Sequence, residues 1–118
     1  MKTIILDTNF VMIPFEFKVD IFDEIKRIAD FPYKLAVADS TIKELNKVGN
    51  TAAKFALKLL EVHKVEIIKT GLDYADDAIA ELAKHKDMII ATQDLGLKKR
   101  ITCPLIVLKG KSHLEYMP

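Results

Sequence analysis

The chain alternates short, nearly all-apolar runs with stretches of helical periodicity, and this alternation restricts its fold more than any other feature. The runs are Thr3 to Leu6, Lys34 to Ala38, Val65 to Lys69, Met88 to Ala91 and Leu105 to Leu108. Strands without a polar face are buried on both sides, the condition of a parallel sheet covered by helices. The segments between them carry the helices. Asp20 opens one with Ile21, Phe22, Ile25 and Ile28 on one face, ending before Pro32. Asp39, Ser40 and Thr41 offer caps to a helix holding Ile42, Leu45 and Val48, broken at Gly49-Asn50. Thr51 opens another, with Phe55, Leu59 and Val62 assigned to its buried side. Asp73 caps a helix to about Lys84, and a short helix covers Leu95 to Arg100. Asp7-Thr8-Asn9 reads as a turn leading into a mixed stretch closed by Pro14, and the tail from Lys109 to Pro118 reads as irregular. The pattern predicts one three-layer α/β domain over residues 1–118, its strands joined by right-handed crossovers.

Composition agrees with a self-sufficient domain. Half of the 118 residues are apolar, enough for a core without disulfides or a structural metal. The single Cys103 has no internal partner and reads as a buried thiol in a reducing cytoplasm. No apolar run approaches the roughly 20 residues that span a bilayer, and the run before Asp7 is too short for a leader. A soluble, cytoplasmic protein without a membrane partner is expected. The formal net charge of +1 decides nothing about nucleic acid, so charge placement matters more.

In an open parallel sheet, sites form beyond the carboxyl ends of the strands. Acids gather at that edge. Asp7 follows the first strand, Glu44 lies early in the helix after the second, Asp76 and Asp77 open the helix after the third, and Asp94 stands just past the fourth. Carboxylates held close together repel unless a cation neutralises them. Hard Mg²⁺ or Mn²⁺ ions suit such oxygen donors, and a pair of them about 4 Å apart drives in-line phosphoryl displacement without a nucleophilic side chain. Each acid also has a structural reading. Asp7 and Asp94 can cap turns or helices, and Glu44 can close a Thr41-x-x-Glu44 capping box. Asp76 and Asp77 can complement a helix dipole, the reading we take for Asp76.

The set Leu6-Asp7-Thr8-Asn9, Glu44, Asp77-Ala78-Ile79-Ala80-Glu81-Leu82-Ala83 and Ile90-Ala91-Thr92-Gln93-Asp94 resembles the PIN-domain nucleases along nearly the whole chain. The resemblance implies a three-layer α/β/α domain with a five-stranded parallel sheet of order 3-2-1-4-5. It implies Asp7, Glu44, Asp77 and Asp94 as catalytic metal ligands, with Asn9 and Thr92 as supporting polar groups. It implies a Mg²⁺- or Mn²⁺-dependent endoribonuclease and a homodimer. Many toxin members carry a further acid shortly after the last Asp; Leu95-Gly96-Leu97-Lys98-Lys99-Arg100 offers none. This basic stretch, and Asp7-Thr8-Asn9-Phe10 followed by Pro14, look like the ribosomal-RNA-processing branch. The implied partners are therefore RNA with an antitoxin or a ribosome-assembly factor.

Lys98 and Arg100, with Lys99, Lys109 and Lys111, are candidate phosphate contacts, a solvated basic face being the plainer reading. His63, His85 and His113 show no ligand spacing. Phe15 and Phe17 are candidates for a dimer contact. Two other functions compete: a non-catalytic RNA- or partner-binding module of the same fold, and a haloacid-dehalogenase-like phosphatase. The latter needs a second Asp where Asn9 stands.

Overall fold

The computed structural model describes residues 1–118, and its sheet is built outward from β1 (Lys2–Leu6). On one side β1 pairs in parallel with β2 (Tyr33–Ala38), which pairs with β3 (Glu66–Ile68). On the other it pairs with β4 (Met88–Ala91), followed by β5 (Leu105–Lys109). A sixth strand, β6 (His113–Met117), closes the far edge antiparallel to β5, giving the order 3-2-1-4-5-6. The order of the first five strands is the expected one; the sixth corrects the reading of the tail as irregular. Gly110 supplies the positive φ that lets the chain turn back, and Leu114 and Tyr116 alternate with polar residues as a half-buried strand requires.

Side chains of β1 alternate between two cores. Ile4 and Leu6 enter a large cluster with Phe10, Ile21, Ile25, Leu45 and Leu60. Ile5 faces a smaller one with Ala78, Ile79, Leu82 and Leu97. The first core is covered by α1 (Thr8–Val11), α2 (Ile13–Phe17), α3 (Ile21–Ile28), α4 (Asp39–Val48) and α5 (Thr51–Val62); the second by α6 (Ala75–Leu82) and α7 (Leu95–Lys98). This is the three-layer arrangement.

Two local readings are corrected. The segment after Asp7 is a pair of short helices rather than a turn, because the Asp7 carboxylate and carbonyl accept the first free N–H groups and Pro14 fits an early helical position. In α5 the buried residues are Ala52, Ala53, Ala56 and Leu60, and the expected Leu59 packs half-buried against the same core, while Phe55 is 42% and Val62 60% exposed. A face of alanines lets α5 approach the first core more closely than Phe55 and Val62 would allow. Phe55 instead meets the ring of Phe15, 5.7 Å between centroids.

An edge strand exposes unpaired backbone groups. Here α3 covers part of β6. Glu24 accepts the Leu114 N–H (2.9 Å), and Arg27, paired with Glu24, donates to the Leu114 carbonyl (3.1 Å). The Arg27 and Leu114 hydrogen bonds hold the Glu24 carboxyl at about 2, below its ordinary 4.5. A carboxyl lowered in this way stabilises the fold above its unfolded pKa and loses that contribution as pH falls through the folded one. We expect Glu24→Ala to cost about 1–2 kcal/mol at neutral pH. The gap from wild type, read by urea denaturation, should be full above pH 4.5 and vanish near pH 2.

Candidate active site

The sheet reverses its order between β1 and β4, and the ladder there continues past both strands. Leu6 faces Ala91, and the Asp7 N–H reaches the Ala91 carbonyl at 3.0 Å. Asp7 is therefore delivered to the mouth of the switch point by backbone pairing alone. It is 3% exposed. Its Oδ1 accepts the Thr8 N–H (2.8 Å) and its Oδ2 the Thr92 hydroxyl (2.7 Å). The same Thr92 oxygen accepts the Asp94 N–H at 3.0 Å, so one buried threonine joins the two acids. Asp94 caps α7 through Oδ1, which receives the N–H groups of Gly96 (2.8 Å) and Leu97 (3.2 Å). A Cβ on residue 96 would lie 3.2 Å from that oxygen, so glycine keeps the cap undistorted.

The third member of the cluster is Asp76. One carboxylate oxygen from each of Asp7, Asp76 and Asp94 lies within 4.8 Å of the other two. Asp77 stands elsewhere, its Oδ1 bound to the Arg100 guanidinium at 2.9 Å. The expectation that Asp77 joins the pocket, with Asp76 merely a helix-end residue, is thus reversed in placement. Helical phase explains why. Ala75, Ala78, Ile79 and Leu82 define the buried face of α6. By the roughly 100° step of an α-helix, Asp76 falls about 110° from the centre of that face and Asp77 about 150°, on the opposite flank. That signal is present in the sequence. Arg100, just past the end of α7, is likewise an ion-pair partner of α6, not a free cation.

Glu44 braces the pocket. Its Oε1 accepts the Thr8 hydroxyl (2.8 Å) and its Oε2 the N–H of Ala75, the first residue of α6 (3.0 Å). It thereby caps α6 from another helix and lies outside the three-oxygen group. The expected capping box fails because Thr41 is already inside α4 and faces Thr8. Asp7, Asn9, Glu44, Lys47 and Asp76 line one cleft of about 260 Å³, with Asn9 and Lys47 at its exposed margin.

Burial raises the pKa of Asp7, against the two hydrogen bonds that lower it, and the charges of Asp76 and Asp94 raise it further. Asp76 is also raised, by burial and then by Asp94 and Glu44. Three carboxylates with no thiolate or imidazole form a hard-oxygen donor set, which fits Mg²⁺ or Mn²⁺.

A model described as "PIN like domain" matches residues 4–111. The chain belongs to this family. Curated proteins similar to this PIN-like chain include Ribonuclease VapC4 of Methanocaldococcus jannaschii, 26% identical over 98% of this chain and 96% of the relative. They also include the rRNA-processing protein FCF1 of Saccharomyces cerevisiae, 30% identical over 98% of this chain. The chain spans 65% of FCF1, and 52% of the fcf1 protein of Schizosaccharomyces pombe. Among solved structures, the PIN domain endonuclease Utp24 superposes with a TM-score of 0.82 at 26% identity, covering 97% of this chain and 90% of that one. The chain is thus a PIN-domain member with nuclease relatives and a cluster of acids at its switch point.

The raised Asp7 pKa has a consequence for stability. Below pH 3.8 the carboxyl is protonated whether the chain is folded or not, and contributes nothing. As pH rises past that value the unfolded chain ionises first, and the fold loses stability until the folded pKa is passed. In a chelator at neutral pH, Asp7→Asn should therefore melt above wild type. The difference should disappear below pH 3.8 in a calorimetric pH series.

Proposed function

We propose that this protein is a divalent-metal-dependent endoribonuclease, with Asp7, Asp76 and Asp94 as the ion's ligands. The observation that carries the reading is the meeting of three carboxylate oxygens within 4.8 Å, one from a nearly fully buried residue, at the end of a parallel sheet. Such a group is electrostatically costly without a cation. When bound, Mg²⁺ or Mn²⁺ supplies Lewis-acid stabilisation of the phosphate and a water of lowered pKa.

The chain's own residues do the rest. Thr92 fixes the facing angle of Asp7 and keeps Asp94 beside it through a single oxygen. Glu44 holds the start of α6, and so Asp76, against Thr8 on α1. It acts as a positioning residue, and Asp77 does the same through Arg100. Asn9 lies at the margin of the cleft, where a polar side chain meets an entering phosphate. Lys98, next to the site on α7, takes part in no ion pair, whereas Arg100 does; Lys98 is the better phosphate contact. RNA as the substrate draws support from Ribonuclease VapC4 and the rRNA-processing FCF1 proteins. The FCF1 likeness, together with the lack of an acid from Leu95 to Arg100, favours RNA processing beside ribosome-assembly partners over a toxin with an antitoxin.

Cleavage of labelled single-stranded RNA in Mn²⁺ tests the assignment. Asp7→Asn, Asp76→Asn and Asp94→Asn should each lower kcat/KM by about a hundredfold or more, since each removes a metal ligand. Asp77→Asn should stay within about tenfold of wild type, because it breaks an exposed ion pair. Chelator should abolish cleavage and Mn²⁺ restore it. Equal loss from Asp76→Asn and Asp77→Asn would refute the ligand assignment, and cleavage that survives chelation would refute metal dependence.

A further inference from the structure

Apart from Met1, the two most exposed large apolar side chains of the chain are Leu95 (71%) and Tyr74 (69%). Each is a near neighbour in sequence of one carboxylate of the acidic cluster, on a different helix start. Leu95 directly follows Asp94 at the start of α7, and Tyr74 precedes Asp76 by two residues at the start of α6. Oxygens of Asp94 and Asp76 lie within 4.8 Å of each other. An isolated exposed apolar residue needs no explanation. Two of them, each beside a carboxylate of the same cluster, do.

Local folding does not require either residue. Tyr74 occupies the cap position of α6, where Ser, Thr, Asp or Asn is the favoured choice. It makes no side-chain capping bond, and Glu44 on α4 accepts the Ala75 N–H at this helix start. Leu95 is the first residue of α7, already capped by Asp94. Neither side chain packs against either hydrophobic core. On α7, Lys98 and Lys99 follow Leu95 at the three- and four-residue spacings that share a helix face. Apolar contact and positive charge are therefore presented together.

We infer that Tyr74 stacks on the base at one side of the reacting phosphate and Leu95 packs against the base at the other, so that these two side chains hold the bases next to the cut. The inference rests on the ribonuclease reading above. A duplex keeps its bases stacked and offers no face to either side chain, whereas an unpaired strand offers both base faces and phosphates. Lys98 and Lys99 then meet the backbone next to the base that Leu95 supports.

The chain contains no tryptophan, so Tyr74→Trp places a single reporter at the rim. The probe is a short fluorescein-labelled oligoribonucleotide in Ca²⁺, an oxygen-seeking ion of looser geometry that slows turnover. Binding is followed by label anisotropy. The indole emission of the Tyr74→Trp variant should be quenched by the single strand and unchanged by the same sequence in a duplex. Tyr74→Phe should bind within about twofold of wild type, and Tyr74→Ala about five- to hundredfold more weakly. Leu95→Ala should weaken binding in the same direction. Thermal midpoints of these exposed-site variants should match wild type, which separates lost contact from lost fold. RNA that binds by anisotropy while the indole emission and the affinity of Tyr74→Ala stay unchanged overturns this inference alone, and assigns the rim to a protein partner instead. Wild-type protein that binds no RNA, single or duplex, overturns the ribonuclease reading along with it.

Discussion

Carboxylates that repel one another are brought together here because β1 pairs with β4. The Leu6–Ala91 register, extended by the Asp7 N–H, sets the first acid at the switch point. The Thr92 hydroxyl then links Asp7 and Asp94 across it. Remove that pairing and no local interaction would hold the acids near each other. The fully buried run Ile4, Ile5 and Leu6, with Ile89, Ile90 and Ala91 beside it, provides the apolar burial that offsets this repulsion. The functional geometry is thus supported by a part of the sheet that carries no chemistry of its own.

Around this centre, charge is sorted by what each carboxylate already binds. Glu44 has both oxygens occupied by protein donors, and Asp77 is matched by Arg100. Asp76 has no such partner and is raised by burial and by its acidic neighbours. The distinction turns five acids at one sheet edge into three that converge, one that braces and one that pairs. It also explains why Asp39, at the same edge, is no candidate. Thr70, Ser40 and Gly71 saturate it, and the Thr70 hydroxyl foremost brings its carboxyl down to about 2.

Much of this is legible in the sequence. The apolar runs place five strands within a residue or two, Asp7 and Asp94 follow from strand ends, and Thr92 follows from the family resemblance. Asp76 escapes a reading by motif because a motif does not say which flank of α6 each acid occupies. The sixth strand escapes because a half-buried antiparallel strand alternates polar and apolar residues and lacks the continuous run that marks the others. The buried side of α5 is misassigned when large residues are favoured over alanines, although close helix packing selects small ones. The clasp of Glu44 on Ala75 is beyond reach from sequence, since it joins residues 31 positions apart through tertiary structure alone.

Asp7 and Thr92, whose side chains meet directly, are separated by 85 residues, and Asp94 lies beyond them. A chain growing on the ribosome therefore carries its first acid long before its last. Until β4 has emerged and docked beside β1, Asp7 has neither its threonine nor its companions, and nothing forms at the strand ends. Domains fold as units once their distant contacts can close. The cluster of acids is consequently among the last features a nascent chain acquires.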